Sequence, residues 1–256
     1  MSRAFPLHTG IATVTARRPV TEAMLCLTLN APAFANLGVE QPGEVITLGW
    51  PLDGERLVLP EAGWRFSGGR REQHWRNFTV RRHDPSQATV DIDFFRHGVA
   101  GRGIEWAAHA DAGDRVGFAG PRAHWRPDPE ARWWLLVADE TALPALLAIL
   151  ESAPAGLPVI AVAEIGNESE RQAVDSVADV RLHWAARHDR PPGTTTVLRD
   201  TLRRIDLPRQ PGQAWGGGEA LAMRDIRDHL RAGRPLLAAS TDIRGYWKRD
   251  EPDDVG

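Results

Sequence analysis

Lysine and tyrosine each occur once in this chain, as Lys248 and Tyr246, on either side of Trp247. Cysteine is equally scarce. Cys26 is alone, so no intrachain disulfide can form, and zinc or iron–sulfur sites built from several thiolates are excluded. A single thiol fits a reducing compartment. The opening MSRAFPLHTG lacks the apolar core of a secretory signal. The longest apolar stretch, residues 133–150, is broken by Asp139, Glu140 and Pro144, so no membrane-spanning segment is expected. Excess charge is missing too: 31 Lys+Arg stand against 34 Asp+Glu, a net −3, which gives no electrostatic reason for a nucleic-acid partner. These absences predict a soluble cytoplasmic protein. No GxSxG elbow, HExxH pair, GxxxxGK[ST] loop or GxGxxG fingerprint occurs, which argues against a serine hydrolase, a zinc hydrolase, an ATP-binding P-loop and the usual dinucleotide turn.

What is present divides into two patterns. Up to about residue 126, short runs separated by Gly, Pro and Asp read as strands: IATVTA, MLCLTL, EVITLGW, RLVLP, RNFTVRR, TVDIDFF and DRVGFAG. One helix, IEWAAHA, interrupts them. Closely spaced antiparallel strands predict a small barrel. Residues 126–132, RPDPEAR, form a candidate linker. Beyond it apolar strands (WWLLVA, PVIAVAEI, VRLHWAA, QAWGG, RPLLAAS) alternate with helical segments, which predicts a parallel sheet covered on both faces. The expected fold is therefore a β-barrel over residues 1–127 followed by an α/β domain over 128–256. No coiled-coil heptad calls for an obligate assembly, so a monomer is expected.

Five segments have chemical potential. Residues 65–82 hold Arg65, Arg70, Arg71, Arg76, Arg81 and Arg82 against the one acid Glu72, an excess that suits an anionic ligand or a solvated edge strand. Alternation puts Arg76, Phe78 and Val80 on one face and Asn77, Thr79 and Arg81 on the other. HGVAGRGIEWAA places Gly98, Gly101 and Gly103 before a helix, whose exposed N–H groups bind phosphate. ADETALP follows the first α/β strand, where open sheets bind ligands. Asp139 and Thr141 there are equally good helix caps, and Pro144 suits a first turn. WGGGEALAMR sets three glycines before another helix. In the tail RGYWKRD, Tyr246 and Trp247 offer two aromatic rings, and Lys248 and Arg249 offer positive charge. Anion-binding loops without a nucleophile or metal motif fit an enzyme whose cofactor carries the chemistry.

In this order, RNFTVR, DIDFFRHGVAGRGIEWA, GDRVGFAGP, ADETALPAL and GYWK resemble the siderophore-interacting protein family, flavin-dependent ferric-siderophore reductases related to ferredoxin–NADP reductases. The resemblance implies an N-terminal FAD-binding barrel and a C-terminal domain of the pyridine-nucleotide type. It implies reduction of a ferric siderophore to release Fe(II), with NAD(P)H or a ferredoxin as donor. It places Arg76, Phe78, Thr79, Val80, Arg81 and Asp93 at the cofactor, with His97, Gly98, Gly101, Arg102, Gly103 and Ile104 along the ribityl and pyrophosphate. Asp139, Glu140, Thr141 and Ala142 would lie at the adenine end, and Tyr246 and Trp247 near the flavin. Lys248, with Arg122 and Arg81, would meet the anionic chelate. No side chain is implied as a catalyst and no metal site is implied. Phe78 stands where the family usually has Tyr, and Arg102 where it usually has Pro. KRDEPDD follows the tail where the family often has glycine. The remaining alternatives are a general NAD(P)H:flavin reductase and a siderophore-binding protein without flavin.

Overall fold

The computed structural model describes residues 8–51, 56–61, 73–96, 101–231 and 236–249. The chain divides into two compact units, Met1–His124 with Pro252–Gly256, and Trp125–Glu251.

The first unit is built on seven antiparallel strands: β1 (His8–Pro19), β2 (Met24–Asn30), β3 (Val45–Trp50), β4 (His74–Thr79), β5 (Arg82–Asp84), β6 (Thr89–Phe95) and β7 (Arg115–Arg122). They are ordered β4-β3-β7-β1-β2-β6-β5. The strands at the two edges are consecutive in sequence, and this closes the sheet. β4 pairs with β3, Val80 N–H then donates to Glu44 O at 2.8 Å, and Arg81 N–H donates to Asp91 O on β6 at 2.9 Å. Two successive amides thus bond to opposite ends of the strand order, one beside β3 and one on β6. Alternating apolar residues of the strands, among them Leu27, Leu29, Ile46, Leu48, Phe94 and Phe118, fill the interior. Phe34, in the 3-10 turn Pro32–Asn36, joins them, its ring 4.7 Å from that of Phe118. Helix α1 (Arg102–His109) buries Gly103 and Ala107 against this core.

RLVLP is not a strand. Among the described residues, 56–60 pair with no strand; the Gln73 side chain meets Val58 there, accepting its N–H at 2.8 Å and donating to its carbonyl at 3.3 Å. The apolar residue that mimicked a strand, Leu57, covers Gly117 of β7.

The second unit has a wholly parallel sheet of β8 (Trp134–Ala138), β9 (Pro158–Ile165), β10 (Asp179–Ala186), β11 (Gly212–Glu219) and β12 (Leu236–Trp247). Their order is β10-β9-β8-β11-β12. Side-chain alternation sorts its apolar residues into two cores. Leu136, Ala138, Ala161, Ala163 and Trp215 meet α2 (Leu143–Ser152) on one face. Leu135, Val137, Ile160, Val162 and Ala214 meet α3 (Val197–Arg203) and α4 (Ala220–Arg231) on the other. Burial on both faces explains the unbroken apolar runs. No helix among the described residues is long and apolar enough to cross a membrane.

Candidate functional site

In the first unit the site residues gather around β4 and the start of α1. Phe78 is held by Phe94 (ring centroids 4.6 Å apart) and edge-on by Trp50 at 6.3 Å. Gly103 approaches this pair so closely that a Cβ there would lie 3.1 Å from both Phe78 Cζ and Trp50 Cη2. The first turn of α1 is therefore laid directly on Phe78. Gly101 supplies no side-chain cap, and the first intrahelical bond runs from Glu105 N–H to Gly101 O. The amides of Arg102, Gly103 and Ile104 precede that bond and point outward along the axis, which makes the turn attractive to an anion. Buried Trp50 Nε1 has no hydrogen-bond partner among the described residues.

Arg76 is half-buried on the Phe78 face, and its Nη1 donates to the Trp75 carbonyl at 2.9 Å. Arg122 belongs to the opposite face. Its Nη2 donates to Asn77 Oδ1 at 2.6 Å and to Thr47 Oγ1 at 2.9 Å. Burial lowers its pKa from the usual arginine value. Thr79 and Val80 are both buried, Val80 in the core.

Arg81 and Asp93 form a buried ion pair, Nε to Oδ2 at 3.8 Å, with side chains 8% and 3% exposed. Burial raises the Asp93 carboxyl from its ordinary value, offset by a hydrogen bond from Cys26 and the Arg81 charge. Cys26 faces Asp93 across β2 and β6, and burial beside that carboxylate raises its thiol strongly. Through this pair Arg81 ties the crossing strand to β6. His97, Gly98, Arg65, Arg70 and Arg71 lie outside the described residues.

In the second unit the ADET segment stands at the carboxyl edge of the sheet. Asp139 is 6% exposed and fully engaged. Its Oδ1 accepts Thr141 N–H (2.9 Å) and Thr141 Oγ1–H (2.5 Å); its Oδ2 accepts Glu219 N–H (2.9 Å) and Trp247 Nε1–H (2.8 Å). Burial raises its carboxyl and these bonds oppose the rise. Ala142 is buried ahead of α2, where Pro144 occupies the first turn. Asp139 and Thr141 are not the caps of α2: its N-cap is Ala142, with no side-chain cap, and Asp139 instead ties the preceding turn, while Pro144 takes the first helical turn as expected.

Glu140 contributes to a cluster the sequence did not reveal. Arg187, just past β10, binds Glu140 Oε1 and reaches Glu164 Oε1 of β9 at 3.4 Å, all three side chains being at most 8% exposed. Burial pushes Glu140 up to about 7 and Glu164 up to about 8, with Arg187 pulling both down and Asp139 pushing both up. Arg187 also donates to Arg190 O across a turn in which His188 and Asp189 take positive φ.

The three glycines after Trp215 do not form a phosphate-binding turn. They lie within β11, and each makes room for a neighbour: Ile243 at Gly216, Ala142 and Tyr246 at Gly217, Asp139 and Met223 at Gly218. Tyr246 and Trp247 end β12, and Lys248 follows them, exposed. No group of three or more metal-ligating side chains occurs among the described residues.

Comparison with known proteins fits this division. Residues 13–125 match the family model described as a siderophore-interacting FAD-binding domain, and residues 131–250 match that of the siderophore-interacting protein. A siderophore utilization protein from T. fusca superposes with a TM-score of 0.87 at 32% identity, covering 97% of this chain and 96% of that one. The ferric vibriobactin reductase ViuB of Vibrio cholerae is 25% identical over 259 residues, 93% of this chain and 89% of its own. At 16% identity, the ferredoxin reductase of carbazole 1,9a-dioxygenase shares the fold with a TM-score of 0.66, over 94% of this chain and 68% of that one.

Proposed function

This chain belongs to the siderophore-interacting protein family, and from that premise we propose that it is an FAD-dependent reductase that releases iron from a ferric siderophore. The observation that carries the reading is the first turn of α1, whose N-cap Gly101 brings no capping side chain, resting on Phe78, two residues along β4 from Arg76. The donor set suits FAD. Outward-pointing amides and an arginine match a pyrophosphate, Gly103 lets backbone approach closely, and the unpartnered Trp50 Nε1 offers a further donor. Bound there, FAD supplies a carrier that accepts two electrons and passes them singly to Fe(III).

The remaining work is binding and electrostatics. In this reading Arg76 and the Arg102–Ile104 amides hold the pyrophosphate, and Phe78 keeps an apolar wall without the phenolic hydrogen bond of a tyrosine. Lys248, with Arg122 in second place, attracts the anionic chelate. Siderophores grip Fe(III) through hard oxygen ligands, and Fe(II) is held far more weakly, so reduction releases the metal without a general acid or base. NAD(P)H and a ferredoxin are the candidate donors.

Two experiments test the reading. The purified protein, incubated with FAD and desalted, retains a flavin absorption spectrum; a protein that stays colourless overturns it. Lys248→Ala raises the apparent KM for ferric siderophore roughly tenfold, as loss of one charge-assisted contact does, while flavin content is unchanged. An unaltered KM removes Lys248 from the substrate site.

A further inference from the structure

The end of β7 departs from a regular ladder. Ala119 lies opposite Thr47 of β3, yet two residues back along β3 Val45 lies opposite Arg122 instead of Pro121. β7 therefore holds one extra residue there, a β-bulge. Side chains alternate, so an unbroken ladder would send Ala119 and Arg122 to opposite faces. The extra residue turns Arg122 to the face of Val45 and Thr47. Gly120 permits this: its φ is +149°, and a Cβ there would lie 3.2 Å from both Ile46 Cα and Val45 O.

On that face Arg122 meets two acceptors. Its Nη2 donates to Thr47 Oγ1 at 2.9 Å and to Asn77 Oδ1 at 2.6 Å, and the Thr47 hydroxyl donates to the same Asn77 oxygen at 2.7 Å. Asn77 stands opposite Thr47 in the β3–β4 register. An arginine only donates, so the triangle closes in one way: Thr47 accepts from Arg122 and gives its own proton to Asn77. Thr47 is buried, Asn77 exposed and Arg122 half-buried. A hydroxyl and an amide orient the guanidinium without bringing it a countercharge. Val45 stands between Arg122 and Thr79 in the register, and the family resemblance implies Thr79 at the cofactor.

We infer that Thr47 and Asn77 are positioning residues for the ferric chelate: they hold Arg122, turned to this face by the bulge, as a preset cationic contact for an anionic siderophore. In naming an iron chelate as the ligand, this rests on the reductase reading; the preset arginine does not. A loose arginine gives up its rotamer freedom when it grips an anion, and fixing it beforehand avoids that loss, roughly three- to tenfold in affinity.

The test is quenching of tryptophan fluorescence in the FAD-loaded full chain by two ferric chelates, the anionic tris-catecholate ferric enterobactin and the cationic ferrioxamine B. Wild type is expected to bind the anion more tightly than the cation. Asn77→Ala and Thr47→Val are each expected to weaken the anion about three- to tenfold, with ferrioxamine B binding and flavin content unchanged. Thr47→Ser keeps the hydroxyl and is expected to bind as wild type does. Arg122→Ala weakens the anion at least as much, and adding Thr47→Val to it changes nothing further, because the threonine acts through the arginine. Equal constants for the anion in wild type, Asn77→Ala and Thr47→Val overturn the inference. So does a Thr47→Val loss that persists in the Arg122→Ala background, or a wild type that binds both chelates equally. Binding needs no electron transfer, so Fe(II) release by photoreduced wild type judges the reductase reading separately.

Discussion

Arg187→Met is expected to cost about 3–5 kcal/mol of folding free energy at pH 8.5, the penalty for stranding buried charge, and far less at pH 5. Arg187 is the cation that both Glu140 and Glu164 face, inside a cluster at most 8% exposed. In the folded protein these carboxyls titrate at about 7 and about 8, raised by burial from 4.5. The folded chain therefore holds protons that the unfolded chain has lost between pH 4.5 and 8, and stability falls as pH rises through that window. Wild type already has this slope. Removing Arg187 deletes the one influence common to both carboxyls that lowers them, so the window widens upward and the loss at alkaline pH deepens. Denaturant unfolding of wild type and variant at the two pH values measures the difference. Glu140→Gln with Glu164→Gln should restore much of the loss in the Arg187→Met background. A penalty independent of pH would show that packing, not charge, is the function of Arg187.

Gly103→Leu is expected to abolish FAD retention, and Gly103→Ala to weaken FAD by about tenfold. The two effects on α1 oppose each other. Alanine favours a helix over glycine by roughly 1 kcal/mol, so α1 by itself gains. Yet the added methyl sits 3.1 Å from Phe78 Cζ and Trp50 Cη2. Neither ring yields readily, since Phe78 is packed on Phe94 and Trp50 is 5% exposed. The helix start must lift instead, taking with it the amides proposed to hold the pyrophosphate. Fluorescence titration with FAD, beside far-ultraviolet circular dichroism to show that the helix persists, separates the two effects. Undiminished FAD affinity in Gly103→Leu would remove this turn from the cofactor site.

Much of this was legible in the sequence because each element's burial follows a simple period. Several barrel strands alternate, β8 and most of β9 in the parallel sheet are apolar, and Pro144 marks the first turn of α2. What could not be read depends on partners far apart in the chain. Arg187 meets Glu140 across 47 residues and Glu164 across 23, and Trp247 reaches Asp139 across 108. No local spacing encodes such pairs. The glycines at 216–218 were ambiguous for another reason. Glycine marks a turn or a close approach with the same letter, and here it admits Ile243, Tyr246 and Asp139 into a strand. RLVLP mimicked a strand because Leu57 is apolar to cover Gly117, while the side-chain amide of Gln73 meets the Val58 backbone.

The most direct test is anaerobic mixing of photoreduced, FAD-loaded protein with a ferric siderophore in the presence of a ferrous-specific chromogenic chelator. The account predicts about two Fe(II) formed per flavin, matching its two electrons, as the flavin spectrum returns to its oxidised form. Flavin that stays reduced and yields no Fe(II), while passing electrons readily to free FMN, would contradict it.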